Sequence, residues 1–262
     1  MVLNDVHTTS LGDDGSQIVF LHGLFGQGKN WTQIGKALTS DHRILLVDLP
    51  HHGRSEWADH FDFVEIADQV AGVLSADDPV ALVGHSLGGK VAMILALRHP
   101  ELVERLCVVD VAPVAYDHME EFAGYIEAMQ SMDLDSLAQR GDADAALTDA
   151  VPKESVRAFL LQNLRREGDG WRWQVNLDVL GADLAAISGW PEDELADLAP
   201  YDGPVLWMGG ESSHYVREEY AAPMDRWFPR NRRVTIKGAG HWVHSEQPEV
   251  FLEVVRRFVD AR

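Results

Sequence analysis

One stretch constrains this chain more than any other: Val80-Ala81-Leu82-Val83-Gly84-His85-Ser86-Leu87-Gly88-Gly89-Lys90-Val91-Ala92-Met93. Ala81–Val83 is a short apolar run entered through Asp77-Asp78-Pro79. After Gly89, the apolar residues Val91, Ile94, Leu95 and Leu97 recur at helical spacing. Strand, sharp turn and helix follow, with Ser86 at the centre of a G-x-S-x-G turn. Gly84 and Gly88 remove the Cβ atoms that would clash where strand and helix cross closely. Such a turn strains the serine backbone and lifts its hydroxyl above the sheet edge. The helix N-terminus beneath it offers free N–H groups and a positive dipole end. The plainer alternative is a glycine-rich turn whose serine only caps the helix.

The segments around it alternate. Gln17–Leu21 reads as a strand ending in His22-Gly23-Leu24-Phe25-Gly26, and a helix follows over about 30–38. Arg43–Val47 is a second apolar strand, too continuous for a sheet with one wet face, and ends in Asp48-Leu49-Pro50-His51-His52-Gly53-Arg54-Ser55. A helix over about 63–74 precedes the Ser86 turn, and Val103–Val109 is the strand after it, ending at Asp110. This rhythm predicts a parallel sheet with helices on both faces. It breaks after Pro113. From about Val114 to Pro200 only helical patterns are legible, over Met119–Met129, Leu134–Ala138, Glu154–Leu164 and Asp178–Ile187, with a turn at Gly168-Asp169-Gly170. The rhythm resumes with strand 204–208, helix Arg217–Trp227, strand Arg233–Ile236 and helix Pro248–Val259. The division expected is a core of residues 1–113 and 201–262, with a helical cap over 114–200 placed to cover the sheet's C-terminal edge.

Composition narrows the partners. The 262 residues carry 22 Lys plus Arg against 42 Asp plus Glu, a formal charge of −20. A chain this acidic repels nucleic acid and anionic membranes. The single cysteine, Cys107, sits in an apolar run and excludes an intrachain disulfide. Met1–Asp5 has no basic n-region, and no run reaches transmembrane length, so a cytoplasmic protein is expected. A monomer or small homo-oligomer acting on a small molecule is consistent with this composition.

A lone serine is a poor nucleophile; it needs a base to take its proton and an acid to orient that base. Of the 12 histidines, His241 is best placed, in Lys237-Gly238-Ala239-Gly240-His241-Trp242 after the last strand, where glycines let the loop bend over the sheet edge. The alternative is a turn histidine bonded to backbone. His85 is read as a packing or orienting neighbour of the serine that also borders the substrate. His244 would lie one helical turn from His241 if that loop were helical, but no carboxylate or cysteine spacing supports a metal. Three acids compete. Glu211 lies in Gly209-Gly210-Glu211-Ser212-Ser213-His214-Tyr215, where an aspartate would be expected near Ser213; Asp178 lies in the cap; Asp110 ends an apolar strand 24 residues past Ser86. A carboxylate there is costly without a partner, which favours Asp110. Two backbone donors must face the developing oxyanion: the amide of Leu87, and one from the His22–Gly26 turn, Leu24 or Phe25, with Leu24 preferred. Phe25, His85, Trp171 and Trp242 are candidate substrate contacts, and Phe122, Tyr125, Met129, Phe159 and Trp173 are candidate cap residues of an acyl pocket.

Taken together, these residues resemble the α/β-hydrolase superfamily and, more narrowly, the YbfF-type esterases. The shared pieces are Leu21–Gly26, Val47-Asp48-Leu49 with His52–Ser55, Gly84–Lys90, Val109–Pro113, Gly209-Gly210 with Ser213 and Tyr215-Val216, Gly238–His244, and Trp171-Arg172-Trp173 in the cap. The resemblance implies an α/β-hydrolase fold with a mostly parallel eight-stranded sheet, helices on both faces and a helical cap inserted before the last two strands. It implies a Ser86–His241–Asp110 triad, a carboxylesterase acting on small acyl esters or thioesters, and no cofactor. A related group transfers acyl groups to alcohols with similar motifs, and haloperoxidases and carbon–carbon hydrolases share the triad, so the acceptor stays open. A binding protein is the alternative from another class.

Overall fold

The computed structural model describes residues 5–261. Met1–Asn4, most of the N-terminal stretch read above for a leader, lie outside the described residues, as does Arg262. The strands are β1 (Thr8–Leu11), β2 (Ser16–Leu21), β3 (His42–Val47), β4 (Val80–His85), β5 (Val103–Val109), β6 (Leu164–Glu167), β7 (Gly170–Trp173), β8 (Val205–Gly210) and β9 (Asn231–Ile236). The helices of the first half are α1 (Thr32–Leu38), α2 (Phe63–Ala71) and α3 (Leu87–Arg98). Between β5 and β8 lie α4 (Glu120–Gln130), α5 (Arg140–Leu147), α6 (Glu154–Leu161), α7 (Leu177–Ala182), α8 (Leu184–Ser188) and α9 (Glu192–Leu195). The chain closes with α10 (Ala221–Trp227), α11 (Val243–Glu246) and α12 (Pro248–Val259).

The main sheet has seven strands in the order β1-β3-β2-β4-β5-β8-β9. All neighbours are parallel except β1, which pairs antiparallel with β3. The expected count of eight is corrected to seven among the described residues. β1 escaped the sequence reading because its four residues, Thr8-Thr9-Ser10-Leu11, carry almost no apolar signal.

Alternation across the sheet builds two cores. Val19, Leu21, Leu82, Leu106 and Val108 face one side, against α2 and α3. Ile18, Phe20, Val83, Cys107 and Val109 face the other, against α1 and α12. Both faces are dry, so the strands read as continuous apolar runs. Each buried large aliphatic contributes about 1.5–3 kcal/mol, and α3, apolar nearly all round, is buried from Leu87 to Leu97. From β2 the chain steps outward to β3, then crosses back to β4 on the other side. That reversal leaves a crevice at the C-terminal ends of β2 and β4, the usual ligand position in an open α/β sheet.

The insertion differs from its sequence expectation in detail. The segment read as helix through Leu164 breaks after Leu161, and Leu164–Glu167 pairs with Gly170–Trp173 as a hairpin across the Gly168 turn. The helix expected over 178–187 is two, α7 and α8, meeting at Asp183. Leu134–Ser136 is a single 3₁₀ turn, and α5 was not foreseen, its sequence Arg140-Gly141-Asp142-Ala143-Asp144 lacking an apolar stripe. Among the described residues no helix is long and apolar enough to cross a membrane.

Candidate active site

Ser86 follows β4 and caps α3 with φ 52° and ψ −119°. The turn is too tight for side chains beside it: a Cβ on Gly84 would meet the Gly88 carbonyl oxygen at 2.2 Å, and one on Gly88 the His22 oxygen at 2.5 Å. Ser86 is one of four non-glycine residues with positive φ among the described residues; the others are Phe25 (61°), His51 (67°) and Asp110 (52°). All four follow strands β2, β3, β4 or β5 at the same edge of the sheet. Each costs on the order of 1–3 kcal/mol and persists only where its surroundings hold it.

His241, in the loop after β9, lies between Ser86 and Asp110. Its Nδ1 is 2.7 Å from Asp110 Oδ2 and its Nε2 3.1 Å from Ser86 Oγ. A carboxylate only accepts, so Nδ1 carries the proton and Nε2 is left to accept from the serine hydroxyl. Asp110 is fully buried. Its Oδ1 accepts from the Gly210 amide at 3.0 Å, and its Oδ2 also accepts from the Ser213 hydroxyl. The other two acid candidates lie elsewhere. Glu211 accepts from the Gly238 amide at 3.0 Å on the surface, and Asp178 is exposed, accepting from Gln130. Ser213 stands where sequence reasoning looked for an aspartate and found none. Its hydroxyl serves the Asp110 carboxylate instead, a partner that the gap itself could have suggested.

The turn after β2 is braced by histidines that burial keeps neutral. His22 is pushed down to about 4 by desolvation. Its Nε2 accepts from the Leu49 amide at 2.9 Å, and its Nδ1 donates to the Gly23 carbonyl at 2.8 Å. His52 falls to about 3, chiefly by desolvation with His22 adding; its Nε2 accepts from the Phe25 amide at 3.2 Å, and its Nδ1 donates to Pro50 O. The Phe25 amide is thus engaged, while Leu24 of the same turn lines the space beside Ser86. His85 is held well below its usual value by burial, with His241 and His244 adding. It donates from Nε2 to the His241 carbonyl at 2.8 Å, fixing the loop that carries His241. His244, pushed down to about 3 by burial, stacks on Trp31 with ring centroids 4.3 Å apart. Among the described residues no group of three histidine, cysteine or acidic side chains is placed to hold a metal.

Of two narrow spaces bordering Ser86, that on the Leu87 side holds about 30 Å³ and that on the His241 side about 20 Å³, room for about one water. Leu24, Phe25, Phe122, Tyr125, Phe159 and Trp242 give it an apolar wall, and His85 borders it. Trp171, expected among the substrate contacts, lies outside this pocket: its Nε1 donates to Leu137 O at 3.0 Å and Arg140 and Arg166 stack near its ring. Met129 and Trp173 are buried in the insertion's core and also lie outside. Buried polar links tie the insertion to the edge. Buried Lys90 donates to the carbonyls of Ser188 (2.6 Å) and Gly189 (2.5 Å) at the end of α8. Asn163 donates to Phe25 O at 2.8 Å and accepts from Gln27 at 2.7 Å.

The described geometry matches known proteins over almost the whole chain. The family model for the alpha/beta hydrolase fold matches residues 17–248. The chain is 36% identical over 250 residues to the sn-1-specific diacylglycerol lipase ABHD11 of Mus musculus, covering 92% of this chain and 80% of that protein. It is 32% identical over 247 residues to esterase YbfF of Escherichia coli, covering 94% and 93%. The solved structure of a marine microorganism esterase superposes with a TM-score of 0.92 at 30% identity, over 97% of this chain and 99% of that one. A strained serine after β4, a histidine after β9 and a carboxylate after β5, with these relatives beside them, place the chain in the alpha/beta hydrolase fold family, among carboxylic ester hydrolases resembling YbfF.

Proposed function

We propose that this chain is a serine carboxylesterase that cleaves small acyl esters or thioesters through an acyl-enzyme intermediate. The observation that carries the reading is the continuous row from Ser86 Oγ through His241 to the buried Asp110 carboxylate, with distances of 3.1 and 2.7 Å. His241 Nε2 takes the hydroxyl proton as Ser86 attacks the acyl carbonyl, and Asp110 stabilises the imidazolium that forms. The amides of Leu24 and Leu87 receive the oxyanion. The imidazolium then protonates the leaving alcohol or thiol. A water, deprotonated by the same histidine, releases the acid. These steps draw on side chains and backbone alone.

The insertion supports a short acyl group. About 20 Å³ is free on one side of Ser86 and about 30 Å³ on the other, so a short acyl group fits with the least displacement of Phe122, which lines both spaces. The test is hydrolysis of p-nitrophenyl esters from acetate to dodecanoate. Turnover highest for the shortest chains is expected, with Ser86→Ala reducing kcat by about 10⁴-fold or more. Full activity in that variant would overturn the reading. Product analysis with ethanol added separates hydrolysis from transfer: free acid is expected to dominate, and a predominance of ethyl ester would reassign the chain as an acyltransferase.

A further inference from the structure

The chain carries a formal charge of −20, yet one cleft of about 530 Å³ gathers Lys29, Arg54, Arg165, Arg166 and Arg172 around its walls. Its only acidic members are Asp48 and Glu167, so five cations face two carboxylates. The two carboxylates leave three of the cations uncompensated. Asp48 commits its two oxygens to backbone, accepting from Gly28 N at 2.7 Å and Arg54 N at 2.9 Å. Glu167 pairs with Arg172 at 2.9 Å. Among the described residues Arg54, Arg165 and Arg166 form no ion pair.

The hairpin register sharpens this crowding. Arg165 stands directly opposite Arg172 across β6 and β7, so both side chains leave the same face, an arrangement in which like charges destabilise the pairing. Arg165 Nε donates to Gln174 Oε1 at 2.9 Å, which fixes the plane of its guanidinium. The turn after β3 is clipped to the same segment: Gly53 N donates to Gln174 O at 2.8 Å and His52 bridges to Val175. Arg54 is thereby held at the cleft beside the hairpin. On the third wall the Lys29 ammonium is pushed down to about 8, first by partial burial and then by the nearby Arg165, with Arg140 and Arg54 adding and Asp48 opposing. The esterase chemistry uses none of these groups.

We propose that this cleft binds a small phosphate-bearing solute, gripped by the guanidinium forks of Arg54 and Arg165 and by the Lys29 ammonium. Planar guanidinium groups match phosphate oxygens in pairs. A small anion inside the cleft meets the local excess of positive charge. An extended polyanion or an anionic bilayer would also meet the rest of a chain whose formal charge is −20, which repels it. The site stands independently of the role given to Ser86.

Isothermal titration calorimetry of the full chain with pyrophosphate tests it. Saturable binding at one site is expected, weakened by added salt. Arg54→Ala and Arg165→Ala should each lower affinity about tenfold or more. Arg165→Lys, which keeps the charge and loses the fork, should fall between wild type and Arg165→Ala. Arg232→Ala, on the exposed strand β9, should bind as wild type. Arg54 lies outside the hairpin, so its variant carries the test if Arg165→Ala disturbs that element. No saturable heat, or unchanged affinity in both alanine variants, would overturn the site. Sedimentation with phosphatidylglycerol vesicles at matched phosphate checks the other source of the same chemistry. The protein should stay in the supernatant; retention on vesicles without pyrophosphate binding would replace the solute with a lipid headgroup.

Discussion

Asp110 and Phe159 both serve the space around Ser86, and they are held in opposite ways. Asp110 is fully buried, has φ 52°, and accepts from His241, Gly210 and Ser213. Phe159 is half-buried on the eight-residue helix α6 and is held by apolar packing alone, against the core and against the Trp242 ring at 6.3 Å between centroids. The contrast extends beyond the pair. The sheet edge is over-determined, its strained residues fixed by buried donors and acceptors from several strands. The insertion consists of short elements joined to that edge through hydrogen bonds at Lys90, Asn163, Gln174 and Asn176, with the half-buried ring of Phe159 outside that network. Groups that need placement to a fraction of an ångström belong on the first kind of surface. Groups that must yield to a substrate belong on the second.

Breaking the edge should have the largest effect. Asp110→Asn leaves the shape intact but removes the acceptor that fixes the His241 tautomer, so kcat for p-nitrophenyl acetate should fall about 10³–10⁴-fold, while Glu211→Gln stays within about twofold. A large loss in Glu211→Gln with Asp110→Asn spared would move the acid to Glu211. Acid should expose the same edge next. His22, His52 and His244 have native values of about 4, 3 and 3, below the 6.5 of an unfolded histidine. Between those values and 6.5 the unfolded chain binds protons that the native one refuses, so stability falls as pH falls, by about 1.4 kcal/mol per histidine per pH unit. Urea midpoints should drop steeply from pH 6.5 to 5; a flat profile would mean that these rings are charged in the fold.

A smaller effect is expected at the rim of the edge. Ser213→Ala removes one donor to a buried carboxylate that keeps its other partners, so kcat should fall about tenfold with KM unchanged. A change in KM alone would give Ser213 a role in binding. The mildest outcome belongs to the insertion. Phe159→Ala should leave kcat on acetate esters within about threefold, a loss small beside the effect of one misplaced triad group, and shift the preference toward longer acyl chains. A collapse of kcat for every chain length would make the insertion as strict a scaffold as the edge.

The same contrast decides what could be seen in the sequence. Gly84, Ser86 and Gly88 announce the turn because its geometry admits few residue types, and the parallel strands announce themselves because both their faces are dry. Asp110 was legible as an acid at the end of an apolar strand, costly without a partner. The left-handed backbone at Phe25, His51 and Asp110 was not legible, since it is imposed by hydrogen bonds from distant segments. Neither was the β6–β7 hairpin, where Leu164-Arg165-Arg166-Glu167 carries no two-residue apolar period and its pairing depends on the Gly168 turn. Trp171 looked like a ligand contact because it is large and aromatic, but it packs under arginines instead.

The positive φ at Ser86 sets fitness against robustness at a single position. Glycine there would remove the Cβ that makes the conformation costly, and relief of about 1–2 kcal/mol is available. Asp110 differs: glycine at 110 would relieve the same backbone cost but leave the buried donors of His241, Gly210 and Ser213 without their acceptor, a larger loss. Thermal screening of random variants should therefore tolerate glycine at 86 and reject it at 110. In that sense the hydroxyl at 86 is a standing debt against the chain's own persistence, carried in one backbone angle.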